Sequence, residues 1–394
     1  MKRSFIEVKK AMYSALEDTY MRTGVGRGME NYAEKYEGIF SREDVQQLKR
    51  EVSELRRHVL KNIEQLYKQA IESLTKNGVY AYYAKTRQDA LSILDKIIQP
   101  HELVVKSKSL VGEEIGVRDF LRLRGNEVWE TDLGEFIIQL KNEKPAQMVA
   151  PALHVPREEV AALFEKQFNK KFSPDDLEGM VATARNFLRD KIARADTGIT
   201  GANAISAREG TVVTVENEGN IRLTMTMPRK HVVLSSVEKV YPNTVDCVKA
   251  ALTQSYFAGY DKPTYVSLTS TPSGTGDIEK VMVRPAQGSK EMYVILLDNG
   301  RLDAASSFLS DGLRCIKCGA CQLVCPVFSV DGPAWGGDTY TAAIGIVWTA
   351  IVEGVDSAKP LSYFCLSCNA CNEVCPADID ISGTIRLLKS SKVK

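Results

Sequence analysis

Apolar positions in the first part of the chain recur with a helical period. From Ser41 onward they fall at Val45, Leu48, Val52, Leu55, Val59, Ile63, Leu66, Ala70 and Leu74. Steps of three and four residues place them on one helix face, which predicts a helical N-terminal region over residues 1–78. That face must pack against the rest of the chain or a partner. Ser41 with Asp44 three positions on predicts a capped start, and Gly78 predicts a stop. TGVGRG (Thr23–Gly28) does not match a dinucleotide fingerprint and reads as a turn between helices.

Beyond Val79 the period changes. Strands are predicted at Val79–Ala84, Glu102–Lys106, Glu127–Thr131 and Gln147–Ala150, between helices at Thr86–Ile98, Val111–Leu123 and Leu133–Leu140. That alternation predicts a largely parallel sheet covered by helices on both faces. Helices at Pro156–Phe168 and Pro174–Ala195 follow. TVVTV, IRLTMTM and HVVLS then read as strands around a turn at ENEGN, Glu216–Asn220. A helix near Val245–Tyr256, strands at TYVSL and MYVILL, and a loop at STPSGTGD (Ser270–Asp277) complete the α/β part, expected over residues 79–301. Residues 302–394 read as helical around the cysteines, with one helix at Thr341–Glu353.

The chain has 394 residues, which suggests two or three domains at ~100–200 residues each. It carries 51 Lys+Arg against 50 Asp+Glu. A net charge of +1 argues against nucleic-acid binding, which needs a concentrated basic surface. No apolar run reaches the ~18 residues of a membrane span, and the N-terminus does not read as a signal peptide. A cytoplasmic protein is the expectation.

Eight of the nine cysteines lie between Cys315 and Cys375, and only Cys247 stands outside. Cys315-Ile-Lys-Cys318-Gly-Ala-Cys321-Gln-Leu-Val-Cys325-Pro is one copy of C-x2-C-x2-C-x3-C-P. Cys365-Leu-Ser-Cys368-Asn-Ala-Cys371-Asn-Glu-Val-Cys375-Pro is a second. A single C-x2-C would leave zinc or disulfides open; two complete copies with both prolines point to a two-cluster ferredoxin pattern. In that pattern three thiolates wrap one cluster, and the fourth begins a helix and ligates the other. Two 4Fe–4S clusters are therefore expected: one on Cys315, Cys318, Cys321 and Cys375, the other on Cys365, Cys368, Cys371 and Cys325. The long segment between the copies predicts an α-helical ferredoxin module.

Lys106, Ser107, Lys108 and Ser109 directly follow a predicted strand, where parallel sheets bind ligands. Their hydroxyls and backbone could receive a carboxylate or phosphate, or the segment is a capped helix start beside solvated lysines. Glu130, Asp132 and Glu135 also follow a strand end. They could face a cation, and a polar rim is the plainer expectation. Asn217 and Asn220 lie in the ENEGN turn. His154 and His231 read as packed histidines, and Cys247 as a buried free thiol.

KSKSLVGEEI (Lys106–Ile115), ETDLGEFIIQL (Glu130–Leu140), TGITGANAISAREGTVVTVENEGN (Thr197–Asn220), VEKVYP (Val237–Pro242), LLDNGR and the first cysteine motif occur in that order. Together they resemble the iron–sulfur B subunit of lactate-utilisation proteins, the LUD-domain family, from about residue 80 to the C-terminus. The resemblance implies a NagB/RpiA/CoA-transferase-like α/β fold carrying a ferredoxin module. It also implies an electron-transferring role in a multi-subunit system that oxidises L-lactate to pyruvate. In CoA transferases of that fold a strand-end glutamate is a nucleophile, which makes Glu218 a candidate; a tight turn is the plainer reading. No flavin or nicotinamide fingerprint appears, so a partner is expected to carry the two-electron chemistry. Two other functions remain open: an enzyme binding a small organic acid at the LUD edge, and an iron–sulfur scaffold or redox sensor.

Overall fold

The computed structural model describes residues 3–391; residues 1–2 and 392–394, the outer ends of the first and last expected segments, lie outside the described residues. Among the described residues ten strands form: β1 (Tyr80–Ala84), β2 (Leu103–Lys106), β3 (Glu127–Glu130), β4 (Thr197–Thr200), β5 (Ala204–Ser206), β6 (Val212–Glu216), β7 (Lys230–Ser236), β8 (Val240–Tyr241), β9 (Tyr265–Thr269) and β10 (Glu291–Leu297). Six make a wholly parallel sheet in the order β1-β10-β7-β4-β2-β3. Val104, Val105, Ile199, Val232, Val233, Val294 and Leu296 are buried in it. Such runs of branched residues are what a parallel sheet covered on both faces requires. The other four strands form a mixed sheet, β8-β5-β6-β9. Because the six pair in parallel, the carboxyl ends Lys106, Glu130, Thr200, Ser236 and Leu297 share one edge.

Four helices precede the sheet: Phe5–Glu17, Thr19–Phe40, Glu43–Lys61 and Ile63–Lys76. Their apolar faces go to two destinations. Val8, Met12, Met21, Val25, Val45 and Val52 share a core with Phe328, Trp335 and Trp348 beside the cysteines. Val59, Ile63, Leu66, Ala70 and Leu74 join the α/β core with Ile205, Val240 and Val294. The N-terminal helices thus pack on both the cysteine-bearing region and the sheet.

Several expectations need correction. TGVGRG is no turn; it lies inside the helix Thr19–Phe40. A Cβ on Gly24 would sit 2.7 Å from the carbonyl carbon of His154, and one on Gly28 would sit 2.2 Å from Leu153 Cδ1. Two glycines one helical turn apart therefore permit close packing, at the usual cost of glycine in a helix. Ser41 closes that helix and does not cap the next, whose N-cap is Arg42 without a side-chain bond. The helix expected at Val111–Leu123 is two, Leu110–Ile115 and Val117–Leu123, broken at Gly116 with φ +67°. Gln147–Ala150 is not a strand: the Gln147 side chain accepts from the backbone N–H of Val149 and Ala150 and removes them from any ladder. IRLTMTM is the helix Asn220–Thr226, because Glu216 caps it by accepting from Ile221 N–H (2.6 Å) and Arg222 N–H (3.1 Å).

The glycine face gives a direct test. A Cβ added at Gly26, in the same helix, would meet nothing within 4 Å. Gly26→Ala should stabilise the protein by about 0.5–1 kcal/mol through helix propensity, whereas Gly24→Ala should destabilise it by about 1–3 kcal/mol through overpacking. Urea denaturation of the two variants checks this; equal stabilisation by both would remove the packing argument.

Candidate functional site: two cysteine cavities and a cleft at the sheet edge

The two cysteine motifs have the same backbone. Lys317 and Ser367 adopt φ +59° and +55°, and Gly319 and Asn369 adopt +78° and +66°. These left-handed positions curl each C-x2-C-x2-C run. They turn the Lys317 N–H to Cys315 Sγ (3.3 Å) and the Ser367 N–H to Cys365 Sγ (3.4 Å). Short helices Ala320–Leu323 and Ala370–Glu373 follow. Cys325 is the N-cap of the helix Pro326–Asp331. Cys375 differs from expectation: it begins no helix, and a turn leads to Ile381–Ser390.

Two small apolar cavities result. Cys315, Cys318, Cys321 and Cys375 line one, with Met148, Ile316 and Ile344. Cys325, Cys365, Cys368 and Cys371 line the other, with Trp335 and Ala343. None of the eight is paired in a disulfide. Burial pushes Cys325 and Cys375 up to about 11, while backbone N–H groups of Val327 and Phe328 at Cys325, and of Ala377 and Ile379 at Cys375, oppose the shift. Four soft donors around a dry cavity, with N–H groups aimed at sulfur, fit a cationic metal cluster; only such charge holds buried thiols as thiolates. The cavities differ in setting. Cys318 and Cys321 are buried, whereas Cys368 and its neighbour Leu366 are exposed.

The first cavity is anchored to the sheet edge by buried ions. Lys317 Nζ donates to Glu238, just beyond β7, and lies 3.8 Å from the centre of the Trp348 ring. The second Glu238 oxygen is 2.7 Å from Arg301 Nε, and Arg301 Nη2 donates to Glu114 at 2.7 Å. Tyr340 donates to Glu114 at 2.6 Å. Burial would raise the Glu238 carboxyl, but Arg301 and Lys317 outweigh it and hold it far below the carboxylate range. Two cations and two anions balance. Sequence reasoning missed Glu114, Glu238, Arg301 and Lys317 as individuals, although all four lie in strings that carried the family resemblance. Glu238 and Arg301 stand shortly after buried strands, and that position was the available signal for those two.

The same edge carries the sequence-predicted acids and lysines. Lys106 is buried at the end of β2, opposite Glu130 of β3 in register, with its ammonium 3.0 Å from both Glu130 and Glu113. The lysine is therefore not solvated, and Glu130 and Glu135 are buried rather than a rim. Carboxylate oxygens of Glu113, Glu130 and Glu135 lie within 4.8 Å of one another, and the cation that meets Glu113 and Glu130 is Lys106 itself. Ser109 caps the helix Leu110–Ile115, and Ser107 is buried. Asp132 caps Leu133–Lys141, and Glu218 also accepts from Leu133 N–H at 3.2 Å. Asn220 donates to Thr131 at 3.4 Å, and Asn217 accepts from Thr264 N–H at 3.0 Å. Burial and then Asp132 push Glu218 up to about 7.

Lys108, Ser109, Asp132, Asn217, Glu218 and Asn220 line one cleft of about 290 Å³ between the two sheets, whereas Lys106, Ser107, Glu130 and Glu135 lie outside its lining. Lys239, Thr214 and Gln254, which sequence reasoning missed, also line it. Met148 lines both this cleft and the first cysteine cavity. His231 is buried against Thr200 (2.8 Å), and burial lowers it to about 4. His154 is buried beside Glu143, 2.9 Å away, and Cys247 is a buried thiol.

Burial raises Glu135 to about 8; Lys106 opposes the shift, and Glu130 and Glu113 add to it. The folded state keeps this proton between pH 4.5 and about 8 while the unfolded chain releases it, so the contribution to stability falls as pH rises through that window. Glu135→Gln should therefore stabilise the protein at pH 8 relative to pH 5, by about 1–3 kcal/mol. Glu130→Gln removes the buried partner of Lys106 and should cost about 3–5 kcal/mol. Denaturation midpoints against pH check both; equal loss from both variants would contradict the arrangement.

A family model described as the LUD domain matches residues 67–297, and one described as the 4Fe-4S dicluster domain matches residues 311–379. The "Uncharacterized electron transport protein YkgF" of Escherichia coli (strain K12) is 32% identical over 98% of this chain and 80% of that protein. "Lactate utilization protein B" of Bacillus subtilis (strain 168) is 35% identical over 83% of this chain and 67% of that protein. A solved DUF162 family protein from Deinococcus radiodurans covers 60% of this chain and 98% of its own at 11% identity, with a TM-score of 0.30. With a parallel-sheet α/β body matched over more than half its length and a cysteine-bearing helical region after it, the chain belongs to the LUD-domain family and carries a C-terminal 4Fe-4S dicluster domain.

Proposed function

We propose that the chain is the iron–sulfur electron-transfer subunit of a cytoplasmic multi-subunit system oxidising L-lactate to pyruvate, with two 4Fe–4S clusters. The observation that carries this reading is the pair of four-cysteine cavities, one buried against the α/β body and one opening at the surface. Cys315, Cys318, Cys321 and Cys375 hold the first cluster, and Cys365, Cys368, Cys371 and Cys325 the second. When bound, the clusters supply one-electron transfer between the interior and the exposed face. The chain's own residues keep the first site dry and fix its loop through Lys317 and Glu238. Around the second, exposed Tyr363 and Leu366 offer a face to a protein partner.

The lactate system is supported by the relatives named lactate utilization protein B. The chain has no flavin or nicotinamide fingerprint, so the hydride acceptor belongs to a partner subunit. No helix among the described residues is long and apolar enough to cross a membrane. Residues 1–78, 79–301 and 302–394 serve as helical clamp, LUD body and cluster module. Glu218 acts in this reading as a helix cap and not as a nucleophile, since it accepts from Leu133 N–H.

Anaerobically purified protein should contain iron and sulfide each near about eight per chain. Crossed ligation makes a sharper prediction. Cys325→Ser and Cys368→Ser should weaken the same paramagnetic signal, and Cys321→Ser the other. If Cys325→Ser and Cys321→Ser instead lose the same signal, the crossed assignment fails.

A further inference from the structure

Arg56, on the N-terminal helix Glu43–Lys61, is buried beside the first cysteine cavity. Its Nε donates to the Arg314 carbonyl at 3.0 Å, its Nη1 to the Glu238 carbonyl at 2.6 Å, and its Nη2 to the Leu313 carbonyl. The guanidinium also lies over the Tyr241 ring, 5.2 Å from its centre. All of these partners are neutral groups. Among the described residues Arg56 forms no ion pair with a carboxylate, and a buried cation without a counter-charge is costly.

The charges around it are otherwise matched. Arg301 and Lys317 share Glu238, and Arg301 also meets Glu114. Arg314 pairs with Asp311, and Asp378 with Arg57 at 3.5 Å and Lys49 at 3.9 Å. Lys239 is a buried cation whose hydrogen bond goes to the Ala202 carbonyl; burial, then Lys317, lowers it to about 7, so it sheds charge readily. A guanidinium keeps its proton in a protein. Arg56 is thus the unmatched permanent charge of this neighbourhood.

Its position gives that charge a partner. The Arg314 carbonyl belongs to the peptide joining Arg314 to Cys315, so the guanidinium stands one peptide unit from the first cysteine of the buried cavity. The same helix reaches the segment after the fourth: Ser53 Oγ donates at 2.6 Å to Asp378, three residues beyond Cys375. An iron–sulfur cube held by four thiolates is anionic and gains one more negative charge on reduction; net charge and burial set its potential. In a dry cavity burial opposes that added charge, and a fixed buried cation favours it. The second cavity differs. Lys389 Nζ donates to the Cys365 carbonyl at 2.8 Å, but Lys389 is only half-buried and Cys368 is exposed, so water screens the charge.

We propose that Arg56 is the buried counter-charge of the cluster on Cys315, Cys318, Cys321 and Cys375, and that it selectively favours that cluster's reduced state. The inference rests on the proposed function's placement of a cluster in that cavity. It makes the N-terminal helix a determinant of one potential and not the other, letting the interior cluster accept an electron despite its burial.

The test is a redox titration of the anaerobically purified full chain followed by electron paramagnetic resonance. Arg56→Gln should lower the midpoint of the signal lost in Cys321→Ser by about tenfold in the reduction equilibrium, about 59 mV for a one-electron couple. The signal lost in Cys368→Ser should keep its midpoint. Arg56→Lys keeps the charge but not the planar fork, and should keep the unaltered midpoint. Glu238→Gln removes a negative charge from the same neighbourhood and should shift the first midpoint upward, opposite to Arg56→Gln. A purely structural role predicts instead that Arg56→Lys shifts as far as Arg56→Gln, or that both signals shift together; either result overturns the proposal, as does an unchanged or raised midpoint in Arg56→Gln. Should Arg56→Gln lose its iron, the charge reading requires Arg56→Lys to retain iron and midpoint, and loss of iron from both overturns it. Failure of the cluster reading would appear separately, as missing iron or missing signals in the unaltered chain.

Discussion

Glu238 is one buried carboxylate placed between two buried cations that belong to different parts of the chain. Arg301 follows the last strand of the parallel sheet, and Lys317 stands inside the first cysteine loop. Neither cation tolerates burial without a counter-charge, and a half-satisfied network is worse than an apolar core. The relative position of sheet edge and cysteine loop is therefore set by the need to complete this network. Arg56 extends the same logic from the N-terminal helices: it donates to the carbonyls of Glu238, Leu313 and Arg314 and lies over Tyr241. Body, module and helical clamp meet at one small charged centre.

That placement has a functional consequence. The first cysteine cavity is held against the end of the sheet, where the parallel strands also open the cleft. Gln147 and Gln322 stitch the wall between them: Gln147 Nε2 donates to the Gly319 carbonyl at 3.3 Å, and Met148 N–H donates to Gln322 at 3.1 Å. The second cavity reaches the surface, with Cys368 exposed. Interior site, shared wall and surface site follow from one docking geometry.

Much of this was legible in the sequence. The C-x2-C-x2-C-x3-C-P repeat marks which cysteines line each cavity: the close C-x2-C-x2-C spacing groups three, and the repeated pattern supplies the fourth from the other copy. The parallel sheet followed from the strand–helix alternation, whose buried strands are long enough to show. Legibility failed where long-range packing overrode local signals. Gly24 and Gly28 looked like a turn because the contact that needs them, at Leu153 and His154, is far along the chain. The strand-forming composition of IRLTMTM suggested a strand, but the carboxylate of Glu216 caps it as a helix. Lys106 and Glu130 were noticed, yet their burial as an ion pair depends on a strand register that spacing alone does not state. Lys239 and Thr214 gave no motif, because only the fold brings them to the wall of the cleft.

The most direct measurement of the central claim is hydrogen–deuterium exchange of the cluster-loaded Glu238→Gln variant against the unaltered protein. Loss of one carboxylate charge should increase exchange together in three separated segments: residues 110–116 around Glu114, residues 301–321 around Arg301 and Lys317, and residues 53–59 around Arg56. The central strands β7 and β10 should keep their protection. If increased exchange stays within residues 236–241 alone, the charged centre does not hold body and module together, and the account is contradicted.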